Sequence, residues 1–220
     1  MYSRHELRRA AAAFFMPNRC PFCDGLIGPR EYWCEECCAV LPFVGGKCDP
    51  VEGLAELRAC CLYTGSARDA VLRMKDGFYR YSPDAFAVLM TELVGDLLPR
   101  VDIVTAIPAG ASRRMALGYA HGEMIGRDIA RRGGKPFYRV LGVTRFKGEQ
   151  KKLSRSERME NAKRSYRIVN AKHIEGSRIL LVDDVSTTGA TLGAAAQLLK
   201  SAGALEVYGA VFAQTPLESG

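Results

Sequence analysis

Apolar positions along the chain fall into two rhythms. Phe86, Leu89, Met90, Leu93, Val94 and Leu97 recur every three to four residues, which predicts an amphipathic helix. Ala67 to Met74 gives a shorter helix, and two more are expected around His121 to Arg131 and over Ala190 to Ser201. Between these lie short, mainly apolar runs: Ala59 to Tyr63, Ile103 to Ile107, Ile179 to Val182, which is continuous, and Val207 to Phe212. Runs of this length without polar alternation are the pattern of strands buried on both faces. Strand and helix alternate from residue 59 onward, so the expected fold is α/β, a parallel sheet covered on both sides. Gly203 punctuates the last helix-to-strand turn.

The first quarter of the chain has a different character. Leu7, Ala10, Ala11, Phe14 and Phe15 suit a short amphipathic helix stopped at Pro17. Its apolar run, Ala10 to Met16, is too short for a signal peptide and has no small-residue cleavage pattern after it, so an intracellular, cytoplasmic setting is expected. No run approaches the roughly 18 to 20 apolar residues that span a bilayer. Four of the eight cysteines come as Cys20-x2-Cys23 and Cys34-x2-Cys37, ten residues apart. Two such pairs supply the tetrahedral S4 set that Zn²⁺ favours, and with four thiolates no position stays open, so the zinc is expected to be structural. Cys38 competes with Cys37 as fourth ligand, the x2 spacing favouring Cys37. Cys60 and Cys61 lie in a strand and read as reduced, buried residues. The expected division is residues 1–52 as N-terminal helix and zinc ribbon and 53–220 as the α/β domain.

Charge adds a third feature. The chain carries a formal +7, and the stretch 142–172 holds ten basic residues against three glutamates, an excess equal to that of the whole protein. Residues 142–165 have little apolar periodicity and read as a basic loop or hood. Such a stretch attracts anions, either phosphorylated metabolites or nucleic acid. Phe146 and Tyr166 interleave with its basic side chains, which suits weak, salt-sensitive binding of single-stranded DNA by residues 145–167; a solvated hood over a site is the competing reading.

The most informative segment is I-L-L-V-D-D-V-S-T-T-G-A-T, residues 179–191. A buried strand brings Asp183 and Asp184 to the carboxyl edge of the sheet, where open α/β folds bind ligands. Ser186, Thr187, Thr188, Gly189 and Thr191 then lead into a helix whose N-terminal amides suit a phosphate. Carboxylates do not favour a phosphate, so the two acids need hydroxyl donors, as a ribose supplies. A plain strand–turn–helix with Asp183 and Thr187 as caps is the alternative.

This run closely resembles the phosphoribosyl-pyrophosphate (PRPP) motif of type I phosphoribosyltransferases. Reading outward, F-F-M-P-N-R-C-P-F-C at 14–23, L-Y-T-G at 62–65, L-R-M-K at 72–75, I-P at 107–108 and T-R-F-K-G-E-Q-K-K-L-S-R-S-E-R-M-E-N at 144–161 resemble the ComF family, competence-associated proteins that include GntX-like members. The resemblance implies a phosphoribosyltransferase fold with an N-terminal zinc module, PRPP with Mg²⁺ as ligand, and a role in taking up or using DNA. Lys75, Arg113, Arg114 and His121 are the candidates for the pyrophosphate side. Where the family has R-G-F-N-Q, this chain has Leu117-Gly118-Tyr119-Ala120-His121, losing three hydrogen-bonding side chains, and of a further C-x-x-C group only Cys48 and the pair Cys60-Cys61 remain. Two readings follow. One is a phosphoribosyltransferase acting on a nitrogen acceptor, with slow or absent turnover expected from the altered segment. The other is a largely non-catalytic DNA-uptake helper that binds single-stranded DNA or DNA-uptake proteins and keeps a PRPP-sensing or relic pocket.

Overall fold

The computed structural model describes residue 11 and residues 17–76, 82–109, 120–144 and 165–216. The N-terminal helix expected before Pro17, Arg113 and Arg114, residues 117–119 and most of the basic stretch lie outside them.

Five strands make the main sheet: β1 (Phe43–Lys47), β2 (Glu56–Leu62), β3 (Ile103–Ala106), β6 (Arg178–Ser186) and β7 (Glu206–Gln214), in the spatial order β1-β2-β7-β6-β3. β2, β7, β6 and β3 run parallel, and β1 adds an antiparallel edge. The mixed α/β class read from the alternating pattern is therefore the fold. β4 (Leu141–Val143) and β5 (Tyr166–Ile168) form a separate antiparallel pair at the two ends of the segment 142–165 that reads as a loop. Among the described residues these α-helices accompany the strands: α1 (Glu35–Val40), α2 (Gly65–Lys75), α3 (Ser82–Leu93), α4 (His121–Arg132) and α5 (Ala190–Ser201).

Burial explains why these segments hold. The β7 residues Val207 to Ala213 are all buried, as a strand with parallel neighbours on both sides and helices on both faces must be. On one face Phe86, Met90, Val94 and Leu97 pack with Leu180, Val182, Ala210 and Phe212. On the other, Leu192, Ala195, Ala196 and Leu199 of α5 pack with Ile179, Leu181, Val207 and Val211. The even and odd residues of β6 thus feed opposite cores, the period-two geometry of a strand.

The cysteine-rich segment joins the first of these cores. Phe22 is buried with its ring 6.3 Å from that of Phe86 and 6.2 Å from that of Phe212. Arg73 of α2 donates to the Pro21 carbonyl at 2.8 Å, and Arg132 of α4 donates to the Tyr32 hydroxyl at 2.9 Å. A short segment with little apolar material of its own gains stability from this shared core.

Between β1 and β2 the chain passes over α5. Gly53 and Gly189 both have positive φ, +91° and +75°. A Cβ on Gly193 would lie 2.9 Å from the Glu52 carbonyl oxygen, so only glycine allows so close an approach there.

Candidate functional site

The crevice arises from unequal strand pairing. β3 pairs with β6 from Ile103↔Ile179 to Ala106↔Val182, and the Ile107 amide still donates to the Val182 carbonyl at 2.9 Å. At Pro108 the chain leaves. On its other side β6 stays paired to β7 as far as Ser186↔Gln214. β6 accordingly runs four residues past the end of the apolar run Ile179 to Val182, and its Asp183 and Asp184 stand in the strand, with one flank open. A cavity of about 240 Å³ occupies that flank, lined by Ile107, Pro108, Ala109, His121, Gly122, Tyr166, Asp183, Asp184 and Thr191.

Two helix N-termini converge on it. α4 begins at His121, and a Cβ on Gly122 would lie 3.5 Å from Asp183 Oδ1, so the positive end of that helix dipole faces the Asp183 carboxylate. α5 begins after Gly189, whose left-handed conformation turns the chain from β6 into the helix. Thr188 Oγ1 accepts weakly from the Ala190 amide at 3.4 Å, and the N-cap residue Gly189 has no side chain with which to cap the helix itself. Amides near this end thus face outward beside exposed Thr187, Thr188 and Thr191. Ser186 differs from the other hydroxyls: it is buried, with no hydrogen-bond partner for its Oγ among the described residues.

The two acids have different surroundings. Asp183 Oδ1 accepts the Asp184 amide at 2.9 Å and faces α4. Asp184 Oδ2 lies 3.1 Å from Lys75 Nζ, at the end of α2. Lys75 thus stands at the acidic pair, and His121 is buried in the cavity wall. Sequence reasoning missed Gly122, and it read Tyr166 only as an aromatic among basic side chains. The Tyr166 phenol is pushed up to about 12 by burial and by the Asp183 charge, which keeps it a neutral O–H across ordinary pH.

The second constellation is the cysteine cluster. The sulfurs of Cys20, Cys23, Cys34 and Cys37 all lie within 4.8 Å of one another, with Cys23 and Cys34 at 3.7 Å. Zinc–thiolate bonds of about 2.3 Å in a tetrahedron place sulfurs about 3.8 Å apart, so the donor set fits the ion. The first pair sits on a tight turn: the Asp24 amide donates to the Cys20 carbonyl, and Asp24 takes φ +67°. The Gly25 amide donates to Cys23 Sγ at 3.4 Å and pulls that thiol below its ordinary range. The second pair sits instead where α1 starts, Cys34 at the N-cap and Cys37 one turn on, a spacing that puts both on one side of a helix. Cys38 stands outside the group of four, and Cys60 and Cys61 are buried in β2. Cys34→Ser is expected to lower the metal content of purified protein sharply, and Cys60→Ser to leave it unchanged. Metal analysis checks this: less than half an equivalent in folded native protein would refute it.

The crevice lies at the carboxyl end of a mainly parallel α/β sheet. Residues 120–218, which contain α4, β6, the turn and α5, match the family model described as the phosphoribosyl transferase domain. No curated protein matches the chain. Among solved structures it is similar to an allosteric regulatory enzyme of purine biosynthesis (23% identity, TM-score 0.43, covering 60% of this chain and 26% of that one). It is also similar to a purine phosphoribosyltransferase from Pyrococcus horikoshii (20% identity, TM-score 0.38, 62% of this chain and 75% of that one). A third is the glutamine PRPP amidotransferase from B. subtilis (21% identity, TM-score 0.39, 60% and 28%). No helix among the described residues is long and apolar enough to cross a membrane.

Proposed function

We propose that the chain binds PRPP or another ribose 5-phosphate in the crevice between β3 and β6, and that residues 1–52 form a zinc-bound module beside it. The observation that carries the reading is the meeting of Asp183, Asp184 and Thr191 on one cavity beside the uncapped start of α5. In this reading the 5-phosphate takes the outward amides and the hydroxyls of Thr187, Thr188 and Thr191. The carboxylates of Asp183 and Asp184 accept from the ribose hydroxyls.

Transfer would break the bond from the anomeric carbon to pyrophosphate and form one to a nitrogen nucleophile, with Mg²⁺ entering as part of the pyrophosphate substrate. The protein needs no side-chain nucleophile for this, since an oxocarbenium-like transition state asks chiefly for position and charge stabilisation. Asp183 and Asp184 would hold the ring, and Ile107, Pro108 and Ala109 would close the side opposite β6. Arg113 and Arg114, proposed for the pyrophosphate, lie outside the described residues.

Asp183→Asn with Asp184→Asn is expected to weaken ribose 5-phosphate by about tenfold or more while inorganic phosphate binds at least as tightly as before, because only the sugar uses the carboxylates and two like charges are removed. Calorimetric titration of both ligands tests the assignment, and equal losses would refute it. The likeness to ComF proteins supports a second reading, a DNA-uptake helper with a PRPP-sensing pocket. A pyrophosphate-release screen across nitrogen bases separates the two, brisk turnover favouring the enzyme.

A further inference from the structure

The acidic pair raises a charge problem. A phosphate and two carboxylates would share a cavity of about 240 Å³, and like charges held close together disfavour one another's ionised forms. Asp183 has the N-terminus of α4 opposite it. Asp184 has Lys75, which comes from α2, an element outside the span that matches the family model. Both side chains are largely withdrawn from solvent, Lys75 at 22% and Asp184 at 14% exposure, so this contact is screened less than one at the surface. Lys75 also closes the last turn of α2, where the helix carbonyls favour a cation. An ammonium has three donors; one directed at Asp184 leaves others for a ligand oxygen.

We propose that Lys75 is the built-in counter-cation of the acidic pair: it holds the Asp184 carboxylate toward the ribose diol and offsets its charge, so that ribosyl phosphates dock without a divalent cation. The inference rests on the ribose 5-phosphate reading above and assigns Lys75 to the sugar side of the site, as a positioning residue acting through Asp184.

The test uses the full chain with its zinc in place, in buffer without Mg²⁺, titrated with ribose 5-phosphate and with inorganic phosphate. Native protein is expected to bind the sugar phosphate more tightly. Lys75→Gln should lose about tenfold in ribose 5-phosphate affinity, the scale of a hydrogen bond to a charged group, and stay within about threefold for inorganic phosphate. Added Mg²⁺ should restore much of the loss in Lys75→Gln and change the native protein little. Lys75→Arg should keep most of the preference, because it preserves the charge. A merely structural lysine would move both ligands together and would not respond to Mg²⁺, and that result overturns the proposal. So does an unchanged preference in Lys75→Gln. Native protein that binds neither ligand overturns the phosphate-loop reading itself, an outcome distinct from a Lys75 variant that binds phosphate normally and the sugar as well as the native chain.

Discussion

Gly189→Val is expected to destabilise the protein by about 2–6 kcal/mol and to abolish phosphate binding. At φ +75° a β-branched residue is strained by about 1–3 kcal/mol wherever it occurs. Here the new Cβ would also stand 2.6 Å from Val51 Cγ2 and 3.2 Å from Cγ1. Val51 cannot retreat easily: the Leu54 amide donates to its carbonyl, and the next residue, Glu52, lies against Gly193. Overpacking of this kind adds about 1–3 kcal/mol. The turn that delivers Thr187 and Thr188 to the start of α5 would have to move, and the outward amides with it. Urea unfolding and phosphate calorimetry on the same sample check both parts. Gly189→Ala should fall between native and Val in stability, since it keeps the conformational strain and part of the clash. A valine variant with native midpoint and native phosphate affinity would show that the tight turn is dispensable.

Phe86→Ala should cost about 3–5 kcal/mol, the usual penalty for emptying a buried aromatic site. Phe86 and Phe212 are fully buried, stacked with ring centres 3.8 Å apart and planes within 7°. The pair joins α3 to β7, and Phe22, set between Cys20 and Cys23, packs on both rings. Removing Phe86 therefore withdraws support from the first cysteine turn as well as from the sheet. Zinc release to a chromophoric chelator should be faster in Phe86→Ala than in native protein, although every cysteine remains. A stability loss under about 1 kcal/mol, or unchanged zinc release, would mean that the cysteine segment does not depend on this stack.

Legibility in the sequence followed locality. The helical periodicity named Phe86, Met90, Val94 and Leu97, and all four are fully buried, although α3 itself ends at Leu93 and the last two pack from the turn after it. α5 spans Ala190–Ser201 as its pattern indicates, because a strand–turn–helix unit carries its own signals. The four-cysteine set was also readable, since two x2 spacings define it without knowledge of the fold. β1 was not: Phe43-Val44-Gly45-Gly46-Lys47 has two strand-weakening glycines, and it is a strand through partners in β2 such as Cys61 and Arg58. β4 and β5 are three residues each and hold through pairings such as Gly142↔Arg167. At the crevice, Asp183, Asp184 and Thr191 of the wall come from one contiguous stretch of sequence. The pairing of Lys75 with Asp184, the seat of Val51 against Gly189 and the place of Tyr166 in the cavity wall were not legible, because each joins segments far apart in the chain.

The sheet order also constrains how the protein is made. β7 comes last of the strands in the chain and lies in the middle of the sheet, with Glu56 of β2 paired to Tyr208 on one side and Arg178 of β6 to Glu206 on the other. While the chain is being synthesised, β1 with β2 and β3 with β6 can form only as two separate halves, each with an apolar edge awaiting the same partner. Long-range parallel pairing of this kind is slow, and bare edges invite association with other chains. Arrest of translation before β7 would therefore leave two incomplete sheets and a half-built crevice, a state that chaperones and proteases would meet before any ligand could.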